Sequence, residues 1–298
     1  MKSYQINKKD IIFLIIFILL AIDITMNLTV KYTVSTFQQD IQCIPIIMYH
    51  QVKNSNFGKD VISPYEFEED LKYLSEHGYS TITMTDLIDY VYEGKELPPK
   101  PIILTFDDGY LSTYRYVFPL LKQYNMKIVL SIIGKSVDDF SRVSDVNINY
   151  SHMTWDQVKE MHDSGLAEIQ NHSYNFHKVS KGRYGCCQMA NETTAQYKAI
   201  LSDDVMKLQE EIESHIGLAP NTFTYPYGRY CNNTDVILRE LGFKSSLSVT
   251  YGINVINENS KDDLFGLKRI CRSHNYPMNK LMKEGLATIK HITDSDNN

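Results

Sequence analysis

A chain of 298 residues with 43% hydrophobic content can bury a large core in one domain, with room for a small extension. Its net charge of −6 is dispersed and no basic run lies beyond the N-terminus, which argues against nucleic acid or an anionic membrane surface as the main partner. The five cysteines contain no CxxC pair, which excludes the common zinc and dithiol motifs; free thiols, or one disulfide through the adjacent Cys186 or Cys187, both stay open.

Lys2, Lys8 and Lys9 precede an apolar run from Ile11 to Ile22 that Asp23 interrupts. A basic flank and an apolar stretch of this length mark an export signal, and no small-x-small cleavage pattern follows. Residues 1–30 are therefore expected to be a signal-anchor, or alternatively a cleaved signal. The lysines stay inside and the rest of the chain is extracellular on the cell membrane, or secreted. Residues 31–43 read as a polar stalk.

The run Ile44 to His50 is a short β-type segment ending in a polar residue. Ser63-Pro64-Tyr65-Glu66 gives an N-cap, a proline at the first helical position and a capping glutamate, opening a helix that carries Phe67, Leu71 and Leu74 to Gly78. Tyr79–Met84 reads as a strand, and Thr85-Asp86 as the cap of a helix ending at Gly94. Past Pro98, Pro99 and Pro101, the β-branched run Ile102–Phe106 reads as a buried parallel strand running into Asp107-Asp108-Gly109. Two adjacent carboxylates repel unless each meets a different partner; the alternative is a simple turn at Asp108-Gly109.

A helical pattern from Leu111 to Tyr124 contains Pro119, which should kink it. Lys127–Ile133 is the next strand. Thr154-Trp155-Asp156-Gln157 is a second capping box, its helix ending at Gly165, and Leu166–Gln170 is a strand delivering Asn171-His172. Residues 178–193 look irregular. A long charged helix from Thr194 to His215 ends at Gly217, and Asn221–Tyr225 is a strand leading into Pro226-Tyr227-Gly228. Thr234 is expected to cap a helix to Gly242. Strands follow near Lys244–Val249 and Gly266–Ile270, then a short helix near Asn279–Lys283 and a polar tail at 286–298.

Strands alternating with helices predict an α/β fold, a barrel of about seven parallel strands over residues 44–285. In such barrels chemistry gathers at the C-terminal ends of strands, and His50, Asp107, Asp108, His172 and Tyr227 each follow a predicted strand. Asp108, His172 and His177 supply one oxygen and two imidazole nitrogens, a suitable set for a divalent metal with an open position, zinc being the expected ion. Asp107 is then free to act as a base.

TFDDGY at 105–110, HSYNFH at 172–177 and TYPYG at 224–228 resemble the first three motifs of the polysaccharide deacetylases, the NodB-homology family of carbohydrate esterases. The resemblance spans roughly 44–275. It implies a distorted (β/α) barrel and metal-dependent hydrolysis of N-acetyl groups on an acetylated polysaccharide, with Asp107 as general base and Asp108, His172 and His177 as metal ligands. It places a backbone N–H of Tyr227 at the oxyanion.

Three features depart from the commoner pattern. Four residues rather than three separate the histidines, which resembles the poly-N-acetylglucosamine deacetylase branch; that branch shares the Met48-Tyr49-His50 segment and implies a general acid at His50. Thr224 stands where an arginine usually braces the base, and Arg269 is the candidate replacement. The usual C-terminal Leu-x-His is absent, leaving His274 as a second candidate acid. Trp155, Tyr174, Phe176, Tyr225 and Tyr230 are candidate sugar-stacking rings, although Trp155 at the start of a capped helix is as readily a packing residue. The alternatives to the deacetylase reading are a peptidoglycan deacetylase or related metal amidase, and a glycan-binding surface protein without catalysis.

Overall fold

The computed structural model describes residues 17–26, 41–143, 145–180 and 182–295. The chain divides into two compact units between Asp40 and Ile41. In the first, residues 17–26 form helix α1 with exposed apolar side chains, Phe17 and Leu19 among them. Among the described residues no helix is long and apolar enough to cross a membrane. The rest of the expected 1–30 signal segment, and residues 31–40 of the expected stalk, lie outside the described residues.

The second unit opens with β1 (Ile41–Ile44), β2 (Ile46–Tyr49), β3 (Gln51–Val52) and β4 (Val61–Ile62), then α2 (Pro64–Glu76), β5 (Ser80–Thr81) and α3 (Met84–Glu93). It continues through β6 (Pro101–Asp108), α4 (Phe118–Tyr124), β7 (Ile128–Ile132), α5 (Gly134–Arg142), α6 (Trp155–Asp163) and β8 (Ala167–Asn171). The hairpin β9 (Val179–Ser180) and β10 (Arg183–Tyr184) precedes α7 (Thr194–Ile216), β11 (Thr222–Thr224), α8 (Asn232–Glu240) and β12 (Ser245–Leu247). Last come β13 (Asn254–Asn257), β14 (Ile270–Cys271) and α9 (Met278–Ser295).

The main sheet runs β12-β11-β8-β7-β6-β2-β14, every pairing parallel, with β5 on the start of β6. Leu247 at the end of β12 bridges Leu267 just before β14, with Leu267 N–H donating to Ser246 O and Ser248 N–H to Leu267 O, each at 2.9 Å. That bridge brings the last strand back to β12 and curls the sheet into a distorted barrel, the expected fold.

Strand β6 shows how the sequence builds it. Successive side chains alternate between faces. Ile102, Leu104 and Phe106 pack into the helix layer with Leu71, Val117 and Leu130. Ile103 packs inside with Ile46, Val129 and Leu247. Thr105 and Asp107 share the inward parity of Ile103. Alternation alone would aim Asp108 at the helix layer, but its φ of 72° breaks the register. A left-handed non-glycine residue here is the local price of pointing two neighbouring carboxylates at one cavity.

Several elements differ from expectation. Residues 41–43, read as stalk, are strand β1, antiparallel to β13, a pairing with no local sequence signal. The strand at 79–84 shrinks to β5, and Thr83 rather than Thr85 caps α3, because the Glu168 carboxylate takes the Met84 and Thr85 N–H groups at 2.8 and 3.0 Å. The 111–124 helix is a π-turn at Thr113–Val117 followed by α4, with Pro119 in its first turn where its missing N–H costs nothing. Helix α5 was not foreseen, since Gly134 disguises its start; a Cβ there would lie 2.7 Å from Leu208 and Tyr174 atoms. Cys231, not Thr234, caps α8. The tail read at 286–298 is helical to Ser295. Gly285 looks like a helix stop, yet it is a contact glycine, its Cβ position 2.6 Å from Ile270 Cδ1. All five cysteines are free thiols.

Candidate active site

The strand ends converge on a cavity of about 450 Å³ lined by His50, Asp107, Asp108, His172, His177 and Tyr227, with further walls from Gln51, Lys53 and Tyr110. Asp107 is buried and held by Arg269 through two parallel bonds, Nη1 to Oδ1 and Nη2 to Oδ2, each 2.8 Å. Arg269 is itself fixed: Nε donates to Ser248 O at 2.7 Å and Nη1 to Thr105 Oγ1 at 3.1 Å. Burial pushes the Asp107 carboxyl up, but the guanidinium charge and its bonds outweigh burial and hold it below the usual carboxylate range. The second face of Asp107 meets His50, whose Nε2 lies 3.9 Å from Oδ2 while Nδ1 lies 3.9 Å from Asp60 Oδ1.

Asp108, His172 and His177 bring one ligand atom each to within 4.8 Å of the others. Asp108 Oδ1 lies 3.4 Å from His172 Nε2 and 3.3 Å from His177 Nε2, yet it is buried with no hydrogen-bond partner. His172 Nδ1 faces the Thr224 carbonyl at 2.8 Å, so it carries the ring hydrogen and leaves a lone pair at Nε2. A lone pair and a carboxylate oxygen facing each other in a buried site call for a cation between them. Burial pushes His177 down to about 4, which keeps its imidazole neutral, as a metal ligand must be. Burial raises Asp108, but the two imidazoles facing it bring it well below its ordinary value. The residues fit a divalent metal on the chemistry of the donor set.

The wide histidine spacing is accommodated by a pinned loop. Asn171 Oδ1 accepts the Ser173 N–H at 2.9 Å, and Ser173 adopts a φ of 71°. Its hydroxyl accepts the Phe176 N–H at 3.1 Å. From α7, the Asp204 carboxylate takes the N–H groups of Tyr174 and Asn175 at 2.8 and 2.9 Å. Tyr227 is also left-handed, at φ 55°, so Asp108, Ser173 and Tyr227 place three strained residues at three strand ends around one cavity.

The other candidates sort by burial. Trp155 donates from Nε1 to Asp138 at 2.9 Å and stacks on His215, Tyr174 donates to the same Asp138, Phe176 is core, and Tyr225 is 1% exposed with Asp235 and Ser246 on its hydroxyl. Trp155, Phe176 and Tyr225 are buried and leave little ring surface for a sugar, and Tyr174 is half-buried with the Lys207 ammonium over its ring. Tyr230 stays exposed but stacks on Tyr225. His274 pairs with Glu66 at 2.8 Å and stacks on Phe57, and it does not line the cavity. Sequence reading missed Gln51, Lys53, Tyr110, Asp204 and Tyr184. Gln51 and Lys53, both 3.5 Å from the Asn149 carbonyl, have the opposite strand parity to His50, so alternation from His50 gave no sign of them. Asp204 carries no signal within a helix of mixed charge.

Comparison with known proteins agrees with this geometry. The family model described as polysaccharide deacetylase matches residues 94–246, half of the chain. Its span contains Asp107, Asp108, His172, His177 and Tyr227 but neither His50 nor Arg269. The chain is 28% identical over 227 residues to the poly-beta-1,6-N-acetyl-D-glucosamine N-deacetylase of Escherichia coli, covering 70% of this chain but only 34% of that protein. It is 24% identical over 229 residues to the Staphylococcus aureus protein of the same name, covering 72% of this chain and 74% of that one. Among solved structures, IcaB from Ammonifex degensii superposes with a TM-score of 0.65 at 26% identity, over 82% of this chain and 96% of that one. With the family model matched over half of its length, the chain belongs to the polysaccharide deacetylase family.

Proposed function

We propose that this protein is a zinc-dependent hydrolase that removes N-acetyl groups from an N-acetylglucosamine polysaccharide, the β-1,6-linked polymer first. The observation that carries this reading is a buried carboxylate, Asp107, locked by Arg269 beside a three-ligand set whose Asp108 oxygen has no partner. A glycan-binding protein without catalysis has no need of that base. The polymer is proposed from the E. coli and S. aureus relatives, which carry that linkage in their names, and the chain spans about a third of the E. coli relative.

A divalent cation held by Asp108, His172 and His177 supplies Lewis-acid polarisation of an amide carbonyl and a lowered pKa for water. Asp107 takes the proton from the attacking water as its oxygen adds to the acetyl carbon. The Tyr227 N–H receives the developing oxyanion. His50, on the other side of Asp107, gives a proton to the sugar nitrogen as the C–N bond breaks, leaving acetate and a free amine. Full-length protein should release acetate from β-1,6-linked N-acetylglucosamine oligomers, lose that activity to a chelator and regain it with zinc. Release that survives exhaustive chelation would remove the metal from the mechanism.

His50→Ala should lower turnover roughly a hundredfold or more while His274→Ala stays near wild type. The reverse pattern moves the acid to His274. We further propose that the basic and apolar N-terminal segment anchors the barrel outside the cell membrane, a reading supported by Lys2, Lys8 and Lys9 ahead of Ile11–Ile22. Protease added to intact cells should digest the barrel; full protection would overturn that topology.

A further inference from the structure

The two histidine ligands are held in place by different means. His172 is oriented by its bond to the Thr224 carbonyl. Among the described residues no hydrogen-bond partner faces the other nitrogen of His177. Its ring instead lies 4.2 Å from the ring of Tyr227, which stacks on Tyr184 at 4.8 Å and 13°, and the Arg229 guanidinium sits 5.1 Å from the centre of the Tyr184 ring. Tyr227 and Tyr184 are 37% and 41% exposed, so the core does not fix either ring. The stack holds them.

Tyr184 can serve as the outer layer because its hairpin is seated on the turn that carries Tyr227. Gly185 has a φ of 62°, and a Cβ there would lie 2.6 Å from the Pro226 carbonyl oxygen. Cys186 Sγ donates to Arg229 O at 2.8 Å, and Tyr197 of α7 donates to Cys186 O at 2.7 Å. Arg183 pairs with Glu192 and donates to Cys187 O, closing the base of the insertion.

We propose that Tyr184 is a positioning residue for the metal site: through the ring of Tyr227 it holds His177 in the orientation that points Nε2 at Asp108. Metal-binding histidines usually have the second nitrogen fixed by an outer partner, and loss of that partner weakens metal binding about tenfold or more. Here the outer partner is an aromatic stack, and strand β10 supplies its last ring. The proposal rests on the metal reading of Asp108, His172 and His177.

The test is zinc affinity of the full-length protein, read by competition with a chromophoric chelator, so that no turnover is needed. Tyr184→Ala should bind zinc about tenfold more weakly, with the thermal midpoint of the metal-free protein unchanged. Tyr184→Phe should bind as the wild type does, because the ring rather than the hydroxyl does the holding. Gly185→Ala, which drives a Cβ against the Pro226 carbonyl and unseats the hairpin, should weaken zinc in the same direction. Equal affinity of wild type and Tyr184→Ala overturns this proposal alone, as does a Tyr184→Phe as weak as the alanine variant. A wild type that takes up no zinc overturns the metal reading and the proposal together.

Discussion

Asp107→Asn is expected to keep its zinc and to release acetate roughly a hundred- to ten-thousand-fold more slowly than the wild type, the usual worth of a general base. The two functions separate because the two neighbouring carboxylates have separate partners. Asp108 faces His172 and His177, while Asp107 faces Arg269 and His50. The amide of asparagine matches the carboxylate in shape and can still accept from one arm of Arg269, but it takes up no proton near neutral pH. Zinc content measured on the purified variant, beside acetate release from the same preparation, decides the matter. Persistent acetate release assigns the base elsewhere, and loss of zinc means that the two aspartates share the ligand role.

Much of this site was legible before the fold was known, for a definable reason. Each residue supplied by a strand end follows a short apolar run, so His50, Asp107, Asp108, His172 and Tyr227 could be placed at one face of a barrel from the pattern alone. His177 came with them because it lies in the loop after His172. Interactions between distant segments left weaker traces. The ring residues around the site were misjudged because nothing local distinguishes Tyr225, buried against Asp235 and Ser246, from Tyr184, exposed on a hairpin. Glycine misled in two directions for one reason: Gly134 and Gly285 sit where another element passes within contact distance, and a single sequence does not record that approach. Likewise the strand pairing of β1 with β13 joins residues over two hundred positions apart, so neither strand had a visible partner.

Arg269 connects the legible and illegible parts of the site, and its removal should have the largest effect on stability. Arg269→Met leaves the Asp107 carboxylate buried without its guanidinium, a change expected to cost about 3–5 kcal/mol. In the wild type the folded-state pKa of Asp107 is depressed, so its contribution is complete above the ordinary carboxylate value and is lost as pH falls through the folded value. Without Arg269 the opposing effect of burial prevails and the pKa rises above the ordinary value. The sign then reverses: the variant should be least destabilised in acid, where Asp107 is neutral, and most destabilised near neutral pH. Because the base must be ionised to act, the acid limb of kcat/KM should also move to higher pH. The double variant Asp107→Asn with Arg269→Met removes both charges, so it should recover much of the lost stability but none of the activity. Urea unfolding at several pH values for the four proteins of this cycle measures the coupling. A single variant no less stable than the double one would mean that Arg269 is held by Ser248 and Thr105 for packing, and that Asp107 draws its low pKa from another source.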